Sequence, residues 1–162
     1  MTATPTEKKI RVILADDHAL VRQGFRRILE DDPRIAVVGE ASTGLGAVKL
    51  AKETKPDVAV MDLSMPELGG IEASSEILKE LPDTKILILS MHSDPAYVRK
   101  AFDIGAKGYL LKNAIEVDLT RAVIALAEGG AYMSPGISNI VIESLRAGSF
   151  DDSSQDLYER LT

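Results

Sequence analysis

Ile10-Arg11-Val12-Ile13-Leu14-Ala15-Asp16-Asp17-His18 opens on an apolar, β-branched run and ends on two acids and a histidine. A run that is apolar at nearly every position reads as a strand buried on both faces, and such strands belong to parallel sheets covered by helices. Similar runs recur at Ile35–Gly39, Val58–Met61, Ile86–Leu89 and Gly108–Leu111. Between them, apolar residues return at helical spacing: Val21, Phe25, Ile28 and Leu29; Val48 and Ala51; Ile71, Ser74 and Leu78; Val98, Ala101 and Phe102; Leu119, Val123 and Leu126. Gly105 and Gly129 stand where left-handed helix caps belong. The expectation is an α/β, flavodoxin-like (βα)5 doubly wound sheet of order 2-1-3-4-5, occupying residues 8–130.

After Gly130, Ile137, Ile140, Val141 and Leu145 predict an additional helix within 131–148. Residues 149–162 read as an Asp/Ser-rich linker leading into a new apolar pattern that starts at Leu157 and stops at Thr162. The chain carries no cysteine, so disulfides and thiolate metal sites are excluded and a cytoplasmic location is expected. No apolar run approaches membrane-spanning length, so no membrane partner is expected. A net charge of -6 would repel a phosphate backbone, so any DNA contact must come from another domain.

In an open parallel sheet, ligands bind beyond the carboxyl ends of the strands where the winding reverses, here between the first and third strands. Asp16 and Asp17 follow the first strand and Asp62 the third, so three carboxylates converge there. Like charges this close need a cation, and an all-oxygen site with few protein ligands suits Mg²⁺, or Mn²⁺ in its place. Ser90 adds a hydroxyl after the fourth strand, and Lys112 an ammonium after the fifth. A carboxylate can accept a phosphoryl group, whose equatorial oxygens need fixed positive partners. Asp62 is therefore the candidate phosphoacceptor, with Lys112 and Ser90 beside it. Singly, each residue has an ordinary explanation as a cap, turn or solvated side chain. Jointly, their placement at four strand ends favours chemistry.

These residues also resemble the response-regulator receiver family of two-component systems, over about the span from Ile10 to Glu128. Val12-Ile13-Leu14-Ala15-Asp16-Asp17-His18 is similar to its acidic start. Asp62-Leu63-Ser64-Met65-Pro66 with Gly70 is similar to its acceptor signature, and Ser90 with Lys107-Gly108-Tyr109-Leu110-Leu111-Lys112 completes the pattern. The resemblance implies that Asp17, Asp62 and the Ser64 backbone carbonyl bind Mg²⁺, with Asp16 reaching it through water. It also implies that Ser90 and Tyr109 form a switch pair, that Ser64 and His92 modulate loss of the phosphoryl group, and that a sensor histidine kinase supplies it. Such a protein catalyses its own phosphotransfer and slow dephosphorylation without being a metabolic enzyme.

Asp16-Asp17-His18 followed by Leu20-Val21-Arg22, Val38-Gly39-Glu40-Ala41 and Ser90-Met91-His92 is similar to the NarL/FixJ subgroup. That likeness implies homodimerisation on phosphorylation and transcription regulation through a LuxR-type helix-turn-helix DNA-binding domain, missing here beyond Leu161-Thr162. A stand-alone receiver, or a receiver-like module that works unphosphorylated, is the alternative.

Asn113 departs from the family, which often has a cis proline there. A cis non-proline bond costs about 2.5–4 kcal/mol, which argues against cis at Lys112-Asn113 while the sequence leaves its isomer open. An aspartyl phosphatase would need a second acid where Ser64 stands, and a flavodoxin-type phosphate loop is opposed by the charge of Asp16-Asp17-His18. His18 alone reads as a capping or surface residue rather than a metal ligand. Arg22, Arg26 and Arg27 form a basic side of the first helix, either solvated or a docking face for an acidic partner such as the kinase.

Overall fold

The computed structural model describes residues 8–91 and 94–146. The elements alternate as β1 (Ile10–Ala15), α1 (Ala19–Glu30), β2 (Ile35–Ala41), α2 (Gly44–Thr54), β3 (Val58–Asp62), α3 (Gly70–Glu80), β4 (Lys85–Ser90), α4 (Pro95–Asp103) and β5 (Gly108–Leu111). A 3-10 turn (Lys112–Ala114) leads into α5 (Ile115–Ala127), followed by β6 (Tyr132–Met133) and α6 (Pro135–Arg146). All strands pair in parallel in the order β2-β1-β3-β4-β5-β6, the flavodoxin-like winding expected, extended by one strand.

Alternation along the strands splits the core into two layers. Val12, Leu14, Val58, Val60, Leu87, Leu89 and Leu110 face α1 and α5, meeting Phe25, Leu29, Leu119 and Val123. Ile13, Ala15, Ala59, Met61, Ile86, Ile88 and Tyr109 face α2, α3 and α4, meeting Ala47, Ala51, Ile71, Ile77 and Val98. Both faces are thus covered, as the unbroken apolar runs require.

Local chemistry sets the helix ends. Thr43 Oγ1 accepts from Gly46 N at the start of α2, and Asp94 Oδ1 accepts from Ala96 N ahead of Pro95, which occupies the first turn of α4. Gly105 and Gly129 take positive φ, +106° and +93°, as their placement predicts.

The expected five-strand sheet is corrected to six: Tyr132 pairs with Gly108 and Met133 with Tyr109. A two-residue strand shows no alternation in sequence. Three strands also run beyond their predicted bounds, which brings Asp62 and Ser90 into the last positions of β3 and β4. Ile137 of α6 is fully buried with the α2–α4 layer. The side chains of Ile140, Val141 and Leu145, the residues 149–162 and His92 lie outside the described residues. Among the described residues no helix is long and apolar enough to cross a membrane.

Candidate functional site

Strand register brings the polar residues together. Ala15 pairs with Met61, so Asp16 and Asp62 stand level at the ends of neighbouring strands. Asp62 pairs with Leu89 and Ser90 with Leu111, so Ser90 and Lys112 each lie one step further out on the next strands. Lys112 reaches back across that staircase: its Nζ lies 3.1 Å from Asp62 Oδ1 and 3.1 Å from Asp16 Oδ2. Asp16 and Asp62 are buried, 1% and 4% exposed, whereas Asp17 is exposed at the rim.

Burial, and then the charge of Asp16, raise the pKa of Asp62, while the hydrogen bond and charge of Lys112 pull against them. Burial also pulls the Lys112 ammonium down, but the bonds and charges of Asp62 and Asp16 outweigh it and its pKa is raised. One ammonium thus pairs with two of the three carboxylates at these strand ends. Single ligand atoms of Asp16, Asp17, His18 and Asp62 all lie within 4.8 Å of one another. An oxygen-rich cluster with a net negative balance fits a small divalent cation that keeps much of its water.

Ser90 is buried at the end of β4, and Tyr109 is fully buried in β5. Burial raises the Tyr109 pKa against an opposing hydrogen bond with Ser90, so the expected switch pair is in contact with the ring turned inward. Ser64 is exposed in the loop after Asp62. That loop turns back tightly: Leu63 N donates to Leu89 O, Gly70 N donates to Leu63 O, and Glu67 adopts a φ of +71°. A Cβ on Gly70 would lie 2.0 Å from Asp62 O, so only glycine lets α3 start against the end of β3. Among the described residues no peptide is cis, so Lys112-Asn113 is trans.

The basic side of α1 is only partly solvated. Arg22 Nε and Arg26 Nη1 donate to the two oxygens of Glu40, at 2.7 and 2.6 Å, and Arg22 Nη1 donates to Asp16 O. The sequence contains both Leu20-Val21-Arg22 and Val38-Gly39-Glu40-Ala41, but nothing in their spacing shows that they meet. His18 Nδ1 lies 3.0 Å from Asp17 Oδ1 and 3.3 Å from Asp16 Oδ1, on a side chain 67% exposed. A hollow of about 600 Å³ beside Lys8, Lys55 and Lys85 opens at the opposite end of the sheet, away from these groups.

Comparison with known proteins supplies the class. A protein-family model described as the response regulator receiver domain matches residues 12–124. The chain belongs to this receiver family. The receiver is 40% identical over 146 residues to the transcriptional regulatory protein DegU of Brevibacillus brevis, covering 90% of this chain and 62% of DegU. A two-component response regulator of the LuxR family from Aurantimonas sp. SI85-9A1 superposes with a TM-score of 0.81 at 42% identity, over 85% of this receiver and 98% of that chain. The isolated receiver domain of RcsB from Salmonella enterica serovar Typhimurium, solved with the phosphomimetic BeF3-, gives 0.76 at 30% identity, over 82% and 99%. The receiver therefore has LuxR/NarL-type relatives, and it spans less than two thirds of DegU's length.

Proposed function

We propose that this receiver accepts a phosphoryl group on Asp62 from the phosphohistidine of a sensor kinase. In that transfer an Asp62 carboxylate oxygen bonds to phosphorus as the phosphorus–nitrogen bond breaks, the imidazole leaves with the electron pair, and an acyl phosphate remains. The observation that carries the reading is the Lys112 ammonium held between Asp16 and Asp62 at the buried strand ends. It offers a fixed positive partner to a phosphoryl oxygen, as developing charge requires.

Asp16, Asp17 and Asp62, with the Ser64 carbonyl carried over from the family, are the residues to hold Mg²⁺ or Mn²⁺. When bound, the cation supplies charge neutralisation between acceptor and donor oxygens. Ser90 stands ready to donate to a phosphoryl oxygen, which would exchange its bond with Tyr109 for one with the new anion. A phosphoryl group adds roughly 1.5–2 negative charges, enough to bias a bistable pair of this kind. His92 is proposed, from the family alone, to tune hydrolysis.

The output is proposed by likeness. DegU is a transcriptional regulatory protein, and RcsB dimers have been solved on DNA. The corresponding reading is residues 8–130 as receiver, 131–148 as a helical addition and 149–162 as a linker to a LuxR-type DNA-binding domain, with phosphorylation promoting a homodimer. Intact mass after incubation with acetyl phosphate and Mg²⁺ tests the core of this reading. One added phosphoryl group is expected on the parent and none on Asp62→Asn. Equal gain by both proteins would refute Asp62 as the acceptor.

A further inference from the structure

The kinase-independent part of the site rests on the chain leading into Asp16 and Asp17, and the structure shows what holds that chain. Asp16 N donates to Ala41 O at 3.0 Å, which ties it to the end of β2. Asp16 O accepts from Arg22 Nη1 at 2.5 Å, which ties it to α1. The same guanidinium, through Nε, is clamped by Glu40 of β2, and Glu40 is steadied from its other oxygen by Arg26. Arg22 and Glu40 side chains are only 16% and 21% exposed, so this is a part-buried brace rather than a loose surface pair. Asp17 is one peptide bond beyond the braced carbonyl. Its own carboxylate is a third exposed and lies 3.0 Å from the His18 imidazole, itself 67% exposed. Where Asp17 stands is therefore set chiefly by its backbone.

We infer that Arg22 is a positioning residue for the cation site: by fixing the Asp16–Asp17 peptide against Glu40 it sets how tightly the acids hold Mg²⁺, without touching the phosphoryl group. The inference rests on the reading of Asp16, Asp17 and Asp62 as the cation ligands. It makes a prediction opposite in sign to simple electrostatics. An arginine close to an acidic site competes with a cation, so deleting its charge alone would tighten binding. Deleting a brace loosens it, and outer-shell partners of metal ligands typically account for about 10–100-fold in affinity.

Calorimetric titration with MgCl2 separates the two, using the parent, Arg22→Gln, Arg22→Lys and Arg26→Gln, each checked for folding by urea unfolding. Arg22→Gln is expected to weaken Mg²⁺ binding about tenfold. Arg22→Lys, whose single nitrogen cannot span Glu40 and Asp16 O together, is expected to weaken it in the same direction and serves if the glutamine variant does not fold. Arg26→Gln removes an equal charge and one support of Glu40 but leaves both Arg22 bonds, and is expected to weaken binding by clearly less than Arg22→Gln. Parent-like or tighter binding by the folded Arg22 variants overturns the inference, as does an equal loss in Arg26→Gln. A parent that takes up no Mg²⁺ overturns the cation-site reading and this inference with it. A parent that binds Mg²⁺ but gains no phosphoryl mass overturns the acceptor reading alone.

Discussion

Lys112 Nζ lies 3.1 Å from Asp62 Oδ1, a contact that spans from the end of β5 past β4 to the end of β3. With the nearby bond to Asp16, it makes Lys112 the cation that keeps two buried carboxylates together. Lys112→Met is therefore expected to slow phosphoryl gain from acetyl phosphate by about 10²-fold, the scale for losing one preorganised electrostatic partner. Mg²⁺ binding should persist or tighten, because a competing positive charge is gone. A time course of intact mass, paired with a Mg²⁺ titration, checks both; an unchanged rate would remove Lys112 from the chemistry.

Asp62 has a raised pKa, so the folded chain takes up its proton more readily than the unfolded chain does. The linkage sign follows: lowering the pH from neutral through the raised folded value, towards the ordinary carboxylate range, stabilises the fold with respect to this group. At pH 7 without metal the ionised group destabilises. Asp62→Asn should then be more stable than the parent at pH 7 in Mg²⁺-free buffer, with the advantage shrinking as the pH falls through that window. Mg²⁺ at a hundred times its Kd should stabilise the parent by about 2.7 kcal/mol and the Asn variant by less. Urea unfolding across pH, with and without Mg²⁺, reads all three effects. An advantage that grows towards acid pH would show that the sign is wrong.

Gly70 and Gly24 make opposite predictions for the same substitution. At Gly70 an added Cβ meets Asp62 O at 2.0 Å and Leu63 Cα at 3.0 Å, both backbone atoms that cannot swing away. Gly70→Ala should cost about 1–3 kcal/mol and disturb the acceptor loop. At Gly24, inside α1 and exposed, a Cβ meets nothing within 4 Å. Gly24→Ala should stabilise by about 0.5–1 kcal/mol through helix propensity. Chemical unfolding of both variants checks the pair, and similar effects at the two sites would contradict the packing argument.

The sheet was legible because buried parallel strands are apolar at nearly every position, and the acids at their ends fall where that winding opens a crevice. Asp16, Asp62 and Lys112 could thus be placed together before any coordinates. Three features were not legible. β6 is two residues long, too short to show a period. The meeting of Arg22 with Glu40 depends on how α1 lies across the end of β2, a tertiary relation that local spacing does not encode. The inward seat of Tyr109 depends on its burial between β5 and the α2–α4 layer, whereas its sequence neighbours reveal only that it lies in a strand.

The segment after Gly130 is bonded to the strand that carries Tyr109. Ser134 N donates to Tyr109 O at 3.2 Å, Leu111 N donates to Ser134 Oγ at 3.1 Å, and Ile137 is buried among the α2–α4 layer. These contacts make β6 and α6 part of the same packing unit as β5, so a cavity at Ile137 should weaken the whole receiver rather than fray its last helix. Ile137→Ala is expected to cost about 2–5 kcal/mol, the range for truncating a buried isoleucine. Ile142→Ala, on the same helix but 48% exposed, should stay within about 0.5 kcal/mol of the parent. Urea unfolding gives the two costs, and hydrogen exchange shows where protection is lost. Loss confined to α6, with β5 amides as protected as in the parent, would mean that the helix is a detachable appendage. Loss shared by β5 would mean that β5, β6 and α6 open as one cooperative unit.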